Sequence, residues 1–140
     1  MNLVRISEPA SLALHALAVL ARRKDERFSN RRIAAILDVS EHHLAKVMQQ
    51  LAKAGMVRST RGAQGGFDLD RPADQITLLD IFETADGPIG EAACLLNHRV
   101  CDGTQCMVGD LVQSVHRHVH EFLAKTTLAQ LAGRFTLASL

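Results

Sequence analysis

Cys94, Cys101 and Cys106 are the only cysteines of a 140-residue chain, and all three fall in one polar stretch, Cys-Leu-Leu-Asn-His-Arg-Val-Cys-Asp-Gly-Thr-Gln-Cys. An odd number of thiols in a segment with little capacity to pack a core is a poor disulfide framework but a suitable cradle for a soft metal centre. Six residues separate the first pair and four the second. Structural zinc sites more often use Cys-x-x-Cys pairs, so this spacing weakens the zinc reading. Thiolates on an open loop can also hold an iron–sulfur cluster, or act without metal as a thiol–disulfide switch. Cys106 stands where a long helix should begin, and the positive end of a helix dipole favours a thiolate or an anionic cluster.

The rest of the chain must position this loop. Hydrophobic residues make up 47% and aromatics only 4%, a balance that suits Ala/Leu/Val-rich helices better than an all-β sandwich. No basic stretch followed by a long apolar run opens the chain, so a cytoplasmic protein with reduced thiols and no membrane contact is expected. Residues 1–71 carry twelve Lys/Arg against seven Asp/Glu, whereas residues 72–140 carry four against eight. A basic half beside an acidic one suggests that the first half meets a polyanion.

Ser7 should cap a first helix, with Glu8 and Pro9 in its first turn. A second helix should follow Ser29 and a third should run from Ser40 to Gly55, with Asp38-Val39-Ser40 as a tight turn between them. Strands Met56–Thr60 and Phe67–Leu69 flank Arg61-Gly62-Ala63-Gln64-Gly65-Gly66, a β-hairpin signature. A short helix over Thr77–Phe82 precedes the cysteine loop, and a longer one runs from about Met107 to Lys125. The fold class is mainly α with a small β-hairpin wing. Residues 1–75 read as a winged helix-turn-helix, and 76–140 as a cysteine loop with a dimerisation helix.

In the third helix Leu44, Val47, Met48 and Leu51 form the face to be buried, leaving His42, Lys46, Gln49 and Lys53 opposite. Gln and Lys can read base edges in a major groove, and Lys53, further along, suits phosphate. Arg61 at the hairpin tip suits a minor groove, and His43 and Arg58 complete the candidate DNA contacts. No Ser/His/Asp arrangement or phosphate loop points to an enzyme.

The chain resembles the bacterial winged-helix regulators typified by IscR and NsrR. The resemblance rests on Arg-Gly-Ala-Gln-Gly-Gly-Phe-Asp-Leu at 61–69, Arg71-Pro72 and Ile76-Thr77-Leu78-Leu79-Asp80-Ile81, and continues to Thr127-Leu128-Ala129-Gln130-Leu131. It implies a homodimer on a roughly palindromic DNA operator, with an iron–sulfur cluster (2Fe–2S or 4Fe–4S) on the three cysteines near the dimer interface. It also implies a fourth ligand. IscR-like members carry a His three residues after the last cysteine, where this chain has Gly109. Other relatives use a residue of the partner's first helix. The carboxylate position there matches Ser11, and the His position one turn on matches His15, with Glu8 and His98 as weaker candidates.

A dimer is also suggested by Val108, Val112, Val115, Val119 and Phe122, which repeat at steps of four and three, widened by Leu111 and Leu123. His116 and His120 share a helix face, but His118 points elsewhere, so the three do not converge on one ion. The expected function is a redox-, nitric oxide- or iron–sulfur-sensing repressor. The rivals are a cluster-free regulator with a thiol–disulfide switch, and a metal-dependent enzyme or a metal or cluster carrier using the same cysteines.

Overall fold

The computed structural model describes residues 5–90, 94–96, 98, 100–102 and 104–136. Helix α1 (Glu8–Arg22) begins where the Ser7 hydroxyl accepts the Ala10 N–H, with Pro9 in the first turn, where its missing N–H costs nothing. Helices α2 (Asn30–Leu37) and α3 (Glu41–Lys53) are capped in the same way by Ser29 and Ser40. Between them Asp38 takes the left-handed conformation (φ 54°), which Asp tolerates better than most residues, and its N–H returns to the last turn of α2.

Strands β1 (Val57–Thr60) and β2 (Gly66–Leu69) pair antiparallel, with Val57 opposite Leu69 and Thr60 opposite Gly66. A third segment joins them that the sequence did not announce. Phe28 donates to the Phe67 carbonyl at 3.0 Å and accepts the Phe67 N–H at 2.8 Å, docking the α1–α2 connection on the free edge of β2. Gly66 permits this approach, because its φ is 145° and a Cβ there would lie 2.8 Å from the Phe28 carbonyl.

A single 3-10 turn (Ala73–Gln75) leads into α4 (Leu78–Asp86), which runs a turn beyond the Thr77–Phe82 helix read from sequence. Thr77 and Asp80 cap it reciprocally. Helix α5 (Met107–Lys125) has the expected bounds. The following α6 (Leu128–Arg134) adds a helix to those expected, opened by a second reciprocal cap from Thr127 and Gln130. The entrances to α4 and α6 lie side by side, with the Leu78 N–H on the Thr126 carbonyl (2.9 Å) and the Leu128 N–H on the Ile76 carbonyl (2.8 Å).

Helix α1 is the hub. Ala10, Ala13, Ala16, Leu17, Ala18 and Val19 are fully buried, and the small alanines let α3, α4 and α6 pack closely around it. One core joins Ile33, Leu44, Met48 and Leu51 to Ile76, Ile81 and Leu128, so it crosses the boundary at residues 75 and 76. Each such aliphatic side chain contributes about 1.5–3 kcal/mol by leaving water.

Helix α5 packs on α4, burying Val112, and Leu123 reaches the core. The seam read from sequence is therefore divided. Val112 is used within the chain, whereas Val108, Leu111 and Phe122 remain 46%, 57% and 58% exposed. Among the described residues no helix is long and apolar enough to cross a membrane.

Candidate functional site

Helix α3 turns Leu44, Val47, Met48 and Leu51 into the core and leaves His42, Lys46, Gln49 and Lys53 exposed on the opposite face. Arg61, also exposed, opens the wing tip, which closes through a bond from the Gly65 N–H to the Gly62 carbonyl (2.9 Å). Lys46, Lys53 and Arg61 take part in none of the ion pairs among the described residues. Helix α3 and the wing tip thus each present exposed cations that join no ion pair among the described residues, a chemistry that suits a polyanion.

Two of the candidate contacts are engaged elsewhere. His43 Nδ1 lies 3.7 Å from the Glu8 carboxylate, so the side of α3 faces the first turn of α1 there, with both side chains exposed. Arg58 faces its cross-strand partner Asp68 at 2.7 Å and reaches Asp70 at 3.8 Å. The hydrogen bond and charge of Asp68 hold the Arg58 pKa above its ordinary value. Residue type alone groups Arg58 with the phosphate contacts. The structure gives its charge two carboxylates, making it a brace across the hairpin.

In the cysteine loop all three thiols are free, Cys94 and Cys106 half-buried and Cys101 exposed. Cys106 is the N-cap of α5, and its sulfur accepts the Gly109 N–H at 3.1 Å. The position where an IscR-like chain would carry a His ligand therefore serves Cys106 through its backbone. No side-chain motif could signal that. Cys94 sulfur accepts the Leu96 N–H at 3.4 Å. Backbone N–H groups donating to sulfur are the kind of support that metal-bound thiolates receive. The Asp102 carboxylate takes the backbone N–H and then the hydroxyl of Thr104, which hold its pKa below the ordinary carboxylate value.

Among the described residues, no three His, Cys, Asp or Glu side chains gather closely enough to hold a metal ion. Neither His15 nor His98 is thus brought into a three-donor group with the thiols. The donor set still fits a soft centre by its chemistry, with three uncommitted sulfurs, two of them receiving N–H groups. His15 is half-buried, with Nδ1 2.7 Å from the Ser11 carbonyl and its ring edge-on to Phe135 at 5.7 Å. When Nδ1–H donates to that carbonyl, the neutral ring keeps its lone pair on Nε2. That satisfies a buried histidine and equally prepares one for ligation.

His116 and His120 line one cleft beside Ile89 and Gly90, and His118 is not among its walls, as the helical spacing required.

The model of the Rrf2 family, described as an iron-dependent transcriptional regulator, matches residues 6–134. The chain is similar to the HTH-type regulator CymR of Bacillus subtilis (strain 168), with 32% identity over 131 residues, covering 93% of this chain and 91% of CymR. The solved structure of that CymR, described as the global cysteine regulator of B. subtilis, superposes with a TM-score of 0.80 and 30% identity, over 95% of this chain and 99% of the other. An oxidised form of Staphylococcus aureus CymR superposes at 0.78 with 26% identity, over 95% and 99%. IscR of T. potens superposes at 0.74 with 26% identity, over 98% and 92%. The family description and the name of the Bacillus subtilis relative both denote a regulator of transcription and not an enzyme. With its helix-turn-helix and hairpin wing, the chain belongs to the Rrf2 family of DNA-binding transcriptional regulators.

Proposed function

We propose that the chain is a cytoplasmic homodimeric repressor whose operator affinity is set by an iron–sulfur cluster, of two or four irons, held by Cys94, Cys101 and Cys106 and completed by His15 of the partner subunit. The observation that carries this reading is the place of Cys106. It caps α5 with its sulfur toward the Gly109 N–H, on a helix whose outer strip of Val108, Leu111 and Phe122 is left uncovered. A second copy of the same strip would cover it and set two α3 helices in successive major grooves. There His42, Lys46 and Gln49 meet base edges, Lys53 meets phosphate, and Arg61 enters the minor groove, with His43 flanking and Arg58 bracing the wing. When bound, a cluster supplies a redox-active anionic group sensitive to oxidants, nitric oxide and iron–sulfur supply. Release of the three thiols frees the loop between α4 and α5 and alters the spacing of the two α3 helices.

A second reading keeps the DNA surface and uses the thiols as a thiol–disulfide switch. The free state of all three cysteines and the similarity to an oxidised CymR support it. Anaerobic purification separates the two. A brown protein containing iron and sulfide, whose operator affinity changes when the cluster is removed, supports the cluster. A colourless protein that forms an intramolecular disulfide sinks it. If His15→Ala keeps the wild-type absorption spectrum and iron content, the fourth ligand lies elsewhere. If Lys46→Ala and Arg61→Ala leave operator binding unchanged, the assigned DNA surface is wrong.

A further inference from the structure

The most cationic stretch of the chain runs from the end of α1 into the first turn of α2, outside α3 and the hairpin. Residues 22–32 hold six Lys/Arg against two Asp/Glu. Their roles differ. Glu26 is held by Arg23 at 3.2 Å and Arg32 at 3.1 Å, and Arg32 also lies 4.3 Å from the Phe28 ring centroid. Arg31 stands 4.0 Å from Glu41. Lys24 and Arg27 are exposed and join no ion pair among the described residues.

These two side chains line one cleft of about 610 Å³ with Ala63, Gln64 and Gly65 of the wing tip. The Phe28–Phe67 bridge places them there. Phe28 is fully buried, so the alternation of extended backbone turns Arg27 outward beside the wing. Two acids on this cleft are already neutralised, Glu26 by its arginines and Asp68 by Arg58, which leaves Asp25 against two free cations. A groove entered by Arg61 is bordered by phosphates on both sides, and cations beside the wing tip are positioned to meet one of those borders.

We propose that Lys24 and Arg27 grip the DNA phosphate backbone beside the groove entered by the wing, forming a second, sequence-independent contact line. The inference rests on the DNA surface assigned above. Binding of an operator duplex and an unrelated duplex is titrated across a salt series by fluorescence anisotropy. Every phosphate that a variant no longer neutralises lowers the slope of log K against log salt by about 0.9, so Lys24→Ala with Arg27→Ala should lower it by about 1.8 per bound subunit. Both duplexes should weaken alike, keeping the specificity ratio. Arg23→Ala, which removes a cation already paired, should leave the slope at the wild-type value.

A wild-type slope in the double variant, or weakening confined to the operator, overturns the proposal. Lys24→Gln with Arg27→Gln, checked for an unchanged melting curve, must reproduce the result, and a failure to do so also overturns it. If Lys46→Ala and Arg61→Ala weaken binding and the double variant does not, this inference falls alone. If none of them weakens it, the DNA surface falls too.

Discussion

Replacing Cys106 separates its two jobs. Its sulfur caps the 19-residue α5 by accepting the Gly109 N–H, and in the proposed function it is also a cluster ligand. Serine is a better N-cap than cysteine and keeps an acceptor at nearly the same place, whereas alanine removes it. Loss of a cap costs about 0.5–2 kcal/mol, and this half-buried site belongs near the middle of that range, about 1 kcal/mol. For a domain of this size that lowers Tm by about 3 °C. The assay is thermal unfolding followed by circular dichroism on reduced, chelator-treated protein, so that only the cap is read. Cys106→Ala should melt about 3 °C below the parent and Cys106→Ser at or above it. Both should lose iron and sulfide after anaerobic purification. Equal melting of the two variants would refute the cap. Retention of a full cluster in Cys106→Ser would refute the ligand.

Gly66→Ala should cost on the order of 1–3 kcal/mol, because the new methyl meets the Phe28 backbone at a φ that L-residues avoid. Hydrogen exchange at the Phe28 and Phe67 amides checks it, since both should lose protection. Leu111→Glu or Phe122→Glu should leave the melting of the monomer almost unchanged, both side chains being more than half exposed, yet shift the protein to monomer in analytical ultracentrifugation. Arg58→Ala should weaken operator binding while keeping the salt slope, because its charge is already offset by Asp68 and Asp70. A slope lower by about 0.9 per subunit would make Arg58 a phosphate contact after all.

Local chemistry wrote much of this fold openly. Ser7, Ser29 and Ser40 mark three helix starts because a hydroxyl satisfies N–H groups that a helix leaves bare. The glycine-rich hairpin and the limits of α5 are equally local. The extension of α4 through Asp86 was readable too, since Gly87-Pro88 is the stop and Phe82 is not. The Phe28–Phe67 bridge has no such signature, because it joins residues far apart in sequence through backbone groups alone. Seven-residue α6 is too short to stand alone, and it is held by packing on α1 and by the pairing of its entrance with that of α4, partners no sequence window contains. In the site, residue type found the thiols and the basic face of α3. Type could not say that Arg58 and His43 already had carboxylate partners, nor that Gly109 would contribute an N–H.

The pairing of Thr77 with Thr127 has a mechanical consequence. It fastens the start of α4 to the end of α5, so both helices extend from one fulcrum. At 1.5 Å per residue the 19 residues of α5 reach about 28 Å, with Cys106 at the far end and the buried Val112 and Gly109 holding that end of the arm in place. A tilt of about 5° at the fulcrum moves that tip by about 2.5 Å over this length. In the other direction the arm gears motion down. A sub-ångström displacement of the sulfur corresponds to a turn of only a degree or two at the fulcrum.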